Sequence, residues 1–211
     1  MIARGKTFKG YAEDLPSIGF TGDTAGLYAR KHVPWISFAN VPNGTTAATS
    51  SNLRFADFPT DFTQLPTVAF VIPNLDNDMH NPPDDPPAGV SRGDAWLRAN
   101  LDAYYQWAKT HNSLLILTFD ENNDRGKYQG LTNPLVAPTG EFQADLQNRI
   151  VTIFAGARVK PGDYGEGSGV THVNVLRTLE AMYGLPRSGA QQPNAAGGGI
   201  ADDFLITDVF R

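Results

Sequence analysis

Val68-Ala69-Phe70-Val71-Ile72 and Leu114-Leu115-Ile116-Leu117-Thr118-Phe119 are the two runs that decide the fold. Neither alternates apolar with polar residues. A continuous apolar run of this length reads as a strand covered on both faces, as in a mainly parallel sheet. Each run ends abruptly in groups able to bind metal or move protons. The first continues as Pro73-Asn74-Leu75-Asp76-Asn77-Asp78-Met79-His80 and the second as Asp120-Glu121. Open α/β sheets bind ligands outside the carboxyl ends of their strands, so both groups are expected at one sheet edge.

The sequence around these runs supplies the other elements. Past a proline-rich loop (Pro82-Pro83-Asp84-Asp85-Pro86-Pro87), Leu97, Leu101, Tyr104, Tyr105 and Ala108 recur at helical spacing between Asp94 and His111. Asp94 serves as the expected N-cap. Strand, helix and strand then form a right-handed βαβ unit. Ile150 to Ala155 reads as a third core strand. A helix is expected from its N-cap Thr171 through Val175, Leu176, Leu179 and Met182 to Tyr183, with Gly184 and Pro186 as stop signals. The first 65 residues, rich in Gly, Pro, Thr and aromatics, read as brief strands such as Trp35-Ile36-Ser37-Phe38 between long loops. Arg187 to Gly199 reads as a low-complexity loop, and Phe204 to Phe210 as a short strand or turn. The expectation is one α/β domain over residues 1–211, with a mainly parallel sheet sandwiched by helices.

Composition narrows the function. The chain has 211 residues, 41% of them apolar, which suits one packed core. A net charge of −5 and the lack of a Lys/Arg cluster speak against a nucleic-acid backbone as partner. The absence of cysteine removes disulfides, thiolate zinc sites and a cysteine nucleophile. No apolar run reaches the roughly 18 residues of a membrane span. The start, Met1-Ile2-Ala3-Arg4-Gly5-Lys6, lacks the apolar centre of a signal peptide.

Three places carry candidate chemistry. Asp120 and Glu121 are adjacent carboxylates suited to a hard or borderline divalent cation; the bland alternative is a solvated turn. The following Asn122-Asn123-Asp124-Arg125-Gly126 fails the EF-hand pattern, with glycine one place late and Leu131 where the bidentate acid belongs. Asp78 and His80 could bind metal, orient a phosphate oxygen or protonate a leaving group, against the alternative of a self-satisfied Asn/Asp turn. His172 falls in the first turn of the last helix, where the dipole favours the neutral imidazole that acts as a ligand. His32, in Arg30-Lys31-His32, and His111, at a helix end, read as ordinary surface residues, although the basic cluster could help attract an anion. Trp35, Trp96 and Trp107 read as packing residues.

Taken in order, Gly5-Lys6-Thr7-Phe8-Lys9-Gly10-Tyr11-Ala12-Glu13-Asp14-Leu15-Pro16, Tyr28-Ala29-Arg30-Lys31-His32-Val33-Pro34, Pro73 to His80, Thr118-Phe119-Asp120-Glu121 and Thr171-His172 resemble the phosphoesterase family. That family includes bacterial acid phosphatases, phosphatidylinositol-3-phosphatase-type enzymes and phospholipases C. The resemblance implies an alkaline-phosphatase-like α/β fold and hydrolysis of phosphoesters with a divalent metal ion. Oxygen and imidazole ligands admit calcium, magnesium, manganese, zinc or iron. It implies that Asp120 and Glu121 hold the metal, and that Asp78, His80 and His172 surround the phosphoryl group or a second metal position. The implied substrate is a phosphate monoester, alternatively a phosphodiester such as a phospholipid headgroup. The implied location is secreted or periplasmic. Family members open with a strand carrying a Glu-Asn metal motif and then a Thr- or Ser-centred nucleophile segment. The resemblance places this chain downstream of both, as the carboxyl-terminal two thirds of the domain. A non-catalytic metal- or phosphate-binding fragment is therefore the contrasting expectation.

Overall fold

Phe8-Lys9-Gly10-Tyr11-Ala12 forms the middle of the main sheet in the computed structural model, which describes residues 1–81, 86–121, 150–164, 170–189 and 199–211. In chain order the regular elements are β1 (Phe8–Ala12), β2 (Thr24–Ala25), β3 (Tyr28–Ala29), β4 (Asn52–Arg54), β5 (Val68–Ile72), α1 (Pro86–Ala108), β6 (Leu115–Thr118), β7 (Thr152–Ala155) and α2 (His172–Met182). Two compact units are present: Met1–Tyr104 with Leu179–Asp202, and Tyr105–Thr178 with Asp203–Arg211. The fold is α/β with a mainly parallel central sheet.

In the first unit β1 pairs in parallel with β4 and with β5, giving the order β4-β1-β5. The core lies against β1: Ala12, Leu15, Tyr28, Val33 and Trp35 are buried together, with Phe8, Phe20 and Ile72 packed around them. Gly10 is required by this packing, because a Cβ there would stand 2.2 Å from the Trp35 indole. Trp35 donates from Nε1 to Asn52 Oδ1 at 3.1 Å, and Asn52 Nδ2 donates to the Phe20 carbonyl at 2.9 Å, so the buried polar side chain is satisfied. Trp96 is also buried, as expected of a packing residue.

Several expectations need correction. β5 is half-buried at the sheet's edge, with Phe70 44% exposed, whereas its apolar run suggested a strand covered on both faces. Trp35-Ile36-Ser37-Phe38 is not a strand: Pro34–Ser37 is a 3-10 helix, favoured by the fixed φ of Pro34 at its first position. α1 begins at Pro86 rather than Asp94, because Gly89 and Gly93 weaken the helical pattern without breaking the helix. Asp94 is an interior residue whose Oδ2 accepts from Arg98 Nη2 at 3.3 Å, one turn on.

In the second unit β6 pairs with β7 antiparallel, not as a further parallel core strand, and Val151 and Ile153 are about half exposed. The described ladders pair β5 with β1 and β6 with β7. His111 stacks on Trp107 with ring centroids 4.2 Å apart. Its Nδ1 lies 2.8 Å from the Trp107 carbonyl, satisfying a group at the helix end. Near the terminus the only described β pairing is a bridge between Val159 and Phe210.

α2 follows its sequence closely. Thr171 Oγ1 accepts from Val173 N–H at 3.2 Å, and Asn174 Oδ1 accepts from Thr171 N–H at 2.9 Å, a reciprocal cap. At the other end Leu185 N–H donates to the Glu180 carbonyl at 2.8 Å and Gly184 N–H to the Ala181 carbonyl at 3.2 Å. That pair of bonds needs the left-handed φ of +61° at Gly184. Residues 82–85 of the proline-rich loop, the Asn122 to Gly126 stretch and residues 190–198 of the low-complexity loop lie outside the described residues.

Candidate functional site

Asp78 and His80 belong to the first unit, on the segment that leaves β5. Glu13, just past β1, organises that segment. Its Oε2 accepts from Asn74 N–H and from Asn77 Nδ2, both at 2.9 Å, and its Oε1 accepts from Trp96 Nε1 at 2.9 Å. Asn74, 8% exposed, folds the turn: Oδ1 accepts from the backbone of Asp76 and Asn77, and Nδ2 donates to Asp14 Oδ2 at 2.7 Å. Met79 has a φ of +71°, unusual for a residue with a side chain. The chain is held through it by Asn81 N–H donating to the Leu75 carbonyl at 2.8 Å.

This turn delivers Asp78 to His32. His32 Nδ1 lies 2.8 Å from Asp78 Oδ2, with both side chains mostly buried. A carboxylate only accepts, so the hydrogen sits on His32 Nδ1 and Nε2 is the ring's remaining nitrogen. The other oxygen, Asp78 Oδ1, accepts from His80 N–H at 2.8 Å. The His32 and His80 rings meet edge to face with centroids 5.0 Å apart. Lys31 Nζ is 3.0 Å from His80 Nε2. An ammonium only donates, so His80 Nε2 is the acceptor.

Asp120, Glu121 and His172 belong to the second unit, where Asp120 and Glu121 follow β6 and His172 opens α2. All three are exposed. His172 Nε2 donates to the Asp120 backbone carbonyl at 3.3 Å, leaving Nδ1 as its other nitrogen. The structure thus joins Asp78 with His80, and Asp120 with His172, within their own units. As donors, the two carboxylates suit a hard divalent cation. Their number does not complete one: among the described residues no three His, Cys, Asp or Glu side chains are grouped to hold a metal ion.

His32 and Glu13 are the residues that sequence reasoning underrated. Their only signal was position, since both fall inside segments that carried the family resemblance. Nothing in Arg30-Lys31-His32 itself points to a carboxylate 46 residues away. Among the described residues no helix is long and apolar enough to cross a membrane.

The chain is 44% identical over 191 residues to a phosphatidylinositol-3-phosphatase of Mycobacterium tuberculosis, covering 90% of this chain and 52% of that protein. It is 28% identical to a probable acid phosphatase of Kluyveromyces lactis, covering 91% and 42%. It is 25% identical to an acid phosphatase of Aspergillus fumigatus, covering 85% and 37%. The chain spans about half the length, or less, of these curated relatives. No solved structure matches it. The Phosphoesterase family profile matches residues 2–186, and the chain belongs to that family.

Proposed function

We propose that the protein hydrolyses phosphoesters, with phosphate monoesters as its first substrate class. The observation that carries this reading is the 44% identity to a phosphatidylinositol-3-phosphatase across 90% of the chain. Acid-phosphatase relatives at lower identity support the same chemistry. In this reading Asp78, His80 and His172 surround the phosphoryl group. Asp120 and Glu121 hold a divalent cation, whose remaining ligands come from outside the described residues. Bound there, the cation would neutralise charge on phosphoryl oxygens. A phosphorylated lipid headgroup is the substrate that the likeness to a phosphatidylinositol-3-phosphatase favours, and a phospholipase C-type diester is the finer alternative.

A second reading has its own support. Asp78 is engaged on both oxygens, and the described residues assemble no metal-binding trio. Those observations favour a phosphate-binding domain without turnover. Hydrolysis of p-nitrophenyl phosphate and of bis-p-nitrophenyl phosphate, with and without chelator, decides among the readings. Chelator-sensitive release from the monoester is expected. Release from the diester alone would move the assignment to a phosphodiesterase, and release from neither would leave the binding reading.

A further inference from the structure

We propose that the first unit seats on an anionic phospholipid surface through an apolar groove beside β1, as a surface contact rather than a membrane span. The choice of a lipid surface rests on the lipid-headgroup reading above; the groove and its charge stand on geometry. The groove has a volume of about 290 Å³, and Ile2, Phe8, Trp35, Phe38, Val41 and Phe70 line most of it, with no charged side chain in the lining. Gly10 and Phe70 pair across β1 and β5, which puts Phe70 on the sheet face that Trp35 covers. Phe8, Trp35 and Phe70 meet edge to face, with ring centroids 6.0, 5.7 and 6.2 Å apart. Phe70 is nonetheless 44% exposed, and Phe38 is 60% exposed. Aromatic rings left in water around an apolar groove mark a surface that a partner covers.

Charge selects the occupant. The chain carries 22 acidic and 17 basic residues, so an anionic surface repels it as a whole and attracts it only where basic residues are gathered. The groove is such a place. Residues 1–12 and 30–41, which supply all of its lining except Phe70, hold Arg4, Lys6, Lys9, Arg30 and Lys31 and not one Asp or Glu. Arg4 ends the 3-10 turn that carries Ile2, and Lys31 lies in the turn that leads into Pro34–Ser37. Among the described residues neither makes an ion pair, whereas Arg30 is engaged by Asp23 at 3.6 Å and Lys9 Nζ by the Ala47 and Ser50 carbonyls. Lys6 Nζ stands 5.8 Å from the centre of the Tyr183 ring, a contact that brings no opposing charge. A second copy of the chain would set the same basic walls against each other. An anionic bilayer answers both features, with acyl chains for the rings and headgroup phosphates for the ammonium and guanidinium groups.

The test is co-sedimentation of the 211-residue chain with vesicles of phosphatidylcholine alone and of phosphatidylcholine mixed with phosphatidylserine, an anionic lipid without a phosphomonoester. Binding to the mixed vesicles is expected to exceed binding to the neutral ones and to weaken as salt is raised. Phe38→Ser should weaken it about tenfold, through the loss of one inserted ring. Arg4→Gln should weaken it about fivefold on the mixed vesicles and leave the neutral ones unchanged. Both side chains are exposed, so both variants are expected to keep the fold and the parent's behaviour toward soluble p-nitrophenyl phosphate. Equal binding to the two kinds of vesicle, binding to neither, or variants that bind like the parent would overturn the docking surface. Self-association of the chain that Phe38→Ser abolishes, with no vesicle binding, would overturn it too and make the groove an interface between copies. Parallel assays with p-nitrophenyl phosphate separate the two proposals. Vesicle binding without hydrolysis leaves the docking surface standing and removes the enzyme reading; hydrolysis without vesicle binding does the reverse.

Discussion

The segment leaving β5 and the segment leaving β6 carry the same kind of residues and are built in opposite ways. After β5, nearly every polar group is committed: Glu13 takes three bonds, Asn74 folds the turn, and Asp78 uses both oxygens. After β6, Asp120 and Glu121 are exposed, and His172 is linked to Asp120 through its backbone carbonyl. A buried side chain fixed by many bonds contributes to the fold as well as to chemistry, whereas an exposed one contributes little to stability. Substitutions in the first segment should therefore register as stability, and in the second as activity.

The largest expected effect lies in the second segment. Asp120→Ala should reduce phosphoester hydrolysis by at least about 100-fold, the scale for losing a group that acts as part of a unit. Its folding stability should stay within about 0.5 kcal/mol, because the side chain is exposed and the backbone carbonyl that His172 uses remains. Hydrolysis rates and urea unfolding of the same preparation check both halves. An unfolded Asp120→Ala protein would break the comparison.

Next comes the organising acid. Glu13→Ala should cost about 2–4 kcal/mol, since it strands Asn74 N–H, Asn77 Nδ2 and Trp96 Nε1 together in a part-buried setting. The urea midpoint measures the loss, and a change below about 0.5 kcal/mol would show that the segment holds itself without Glu13.

How legible each segment was follows from where its partners lie. α2 could be read whole, because Thr171, Asn174 and Gly184 act on residues within a turn or so of themselves. β5 and β6 were found as apolar runs, yet burial depends on sheet order, so edge strand β5 looked central. β1, the true centre, was hidden by Lys9 and Gly10. Gly10 weakens a strand in isolation and is needed only because Trp35 lies over it. Among candidate site residues, Asp78, His80, Asp120, Glu121 and His172 were picked out by their place at element ends. The roles of His32 and Glu13 were not legible, since each depends on partners more than 45 residues away.

A third test probes the scaffold beside Lys31 and His32. Tyr28 is 2% exposed, and its hydroxyl has no hydrogen-bond partner among the described residues. Burial pushes its pKa up to about 12, slightly opposed by Arg30. The unfolded chain ionises this phenol near 10, so its stabilising contribution is complete below about pH 10 and is lost as pH rises to about 12. Relative to Tyr28→Phe, the parent should lose about 2–3 kcal/mol over that window. Parallel unfolding curves for parent and variant would sink the idea.

The smallest effect isolates the backbone of the first segment. At most positions alanine is more stabilising than glycine, because glycine has more chain entropy to lose. Met79 reverses the expectation: at a φ of +71° a Cβ is strained, while glycine is at ease. Met79→Gly and Met79→Ala both delete the same side chain beyond Cβ, so their difference reports the backbone alone. Glycine should be the more stable of the pair by about 1 kcal/mol, read from urea midpoints. If alanine is equal or better, Met79 does not hold a left-handed conformation in solution. Asp78 and His80 would then lack the turn that now brings them together, and the contrast between a fixed first segment and an open second one would lose its structural cause.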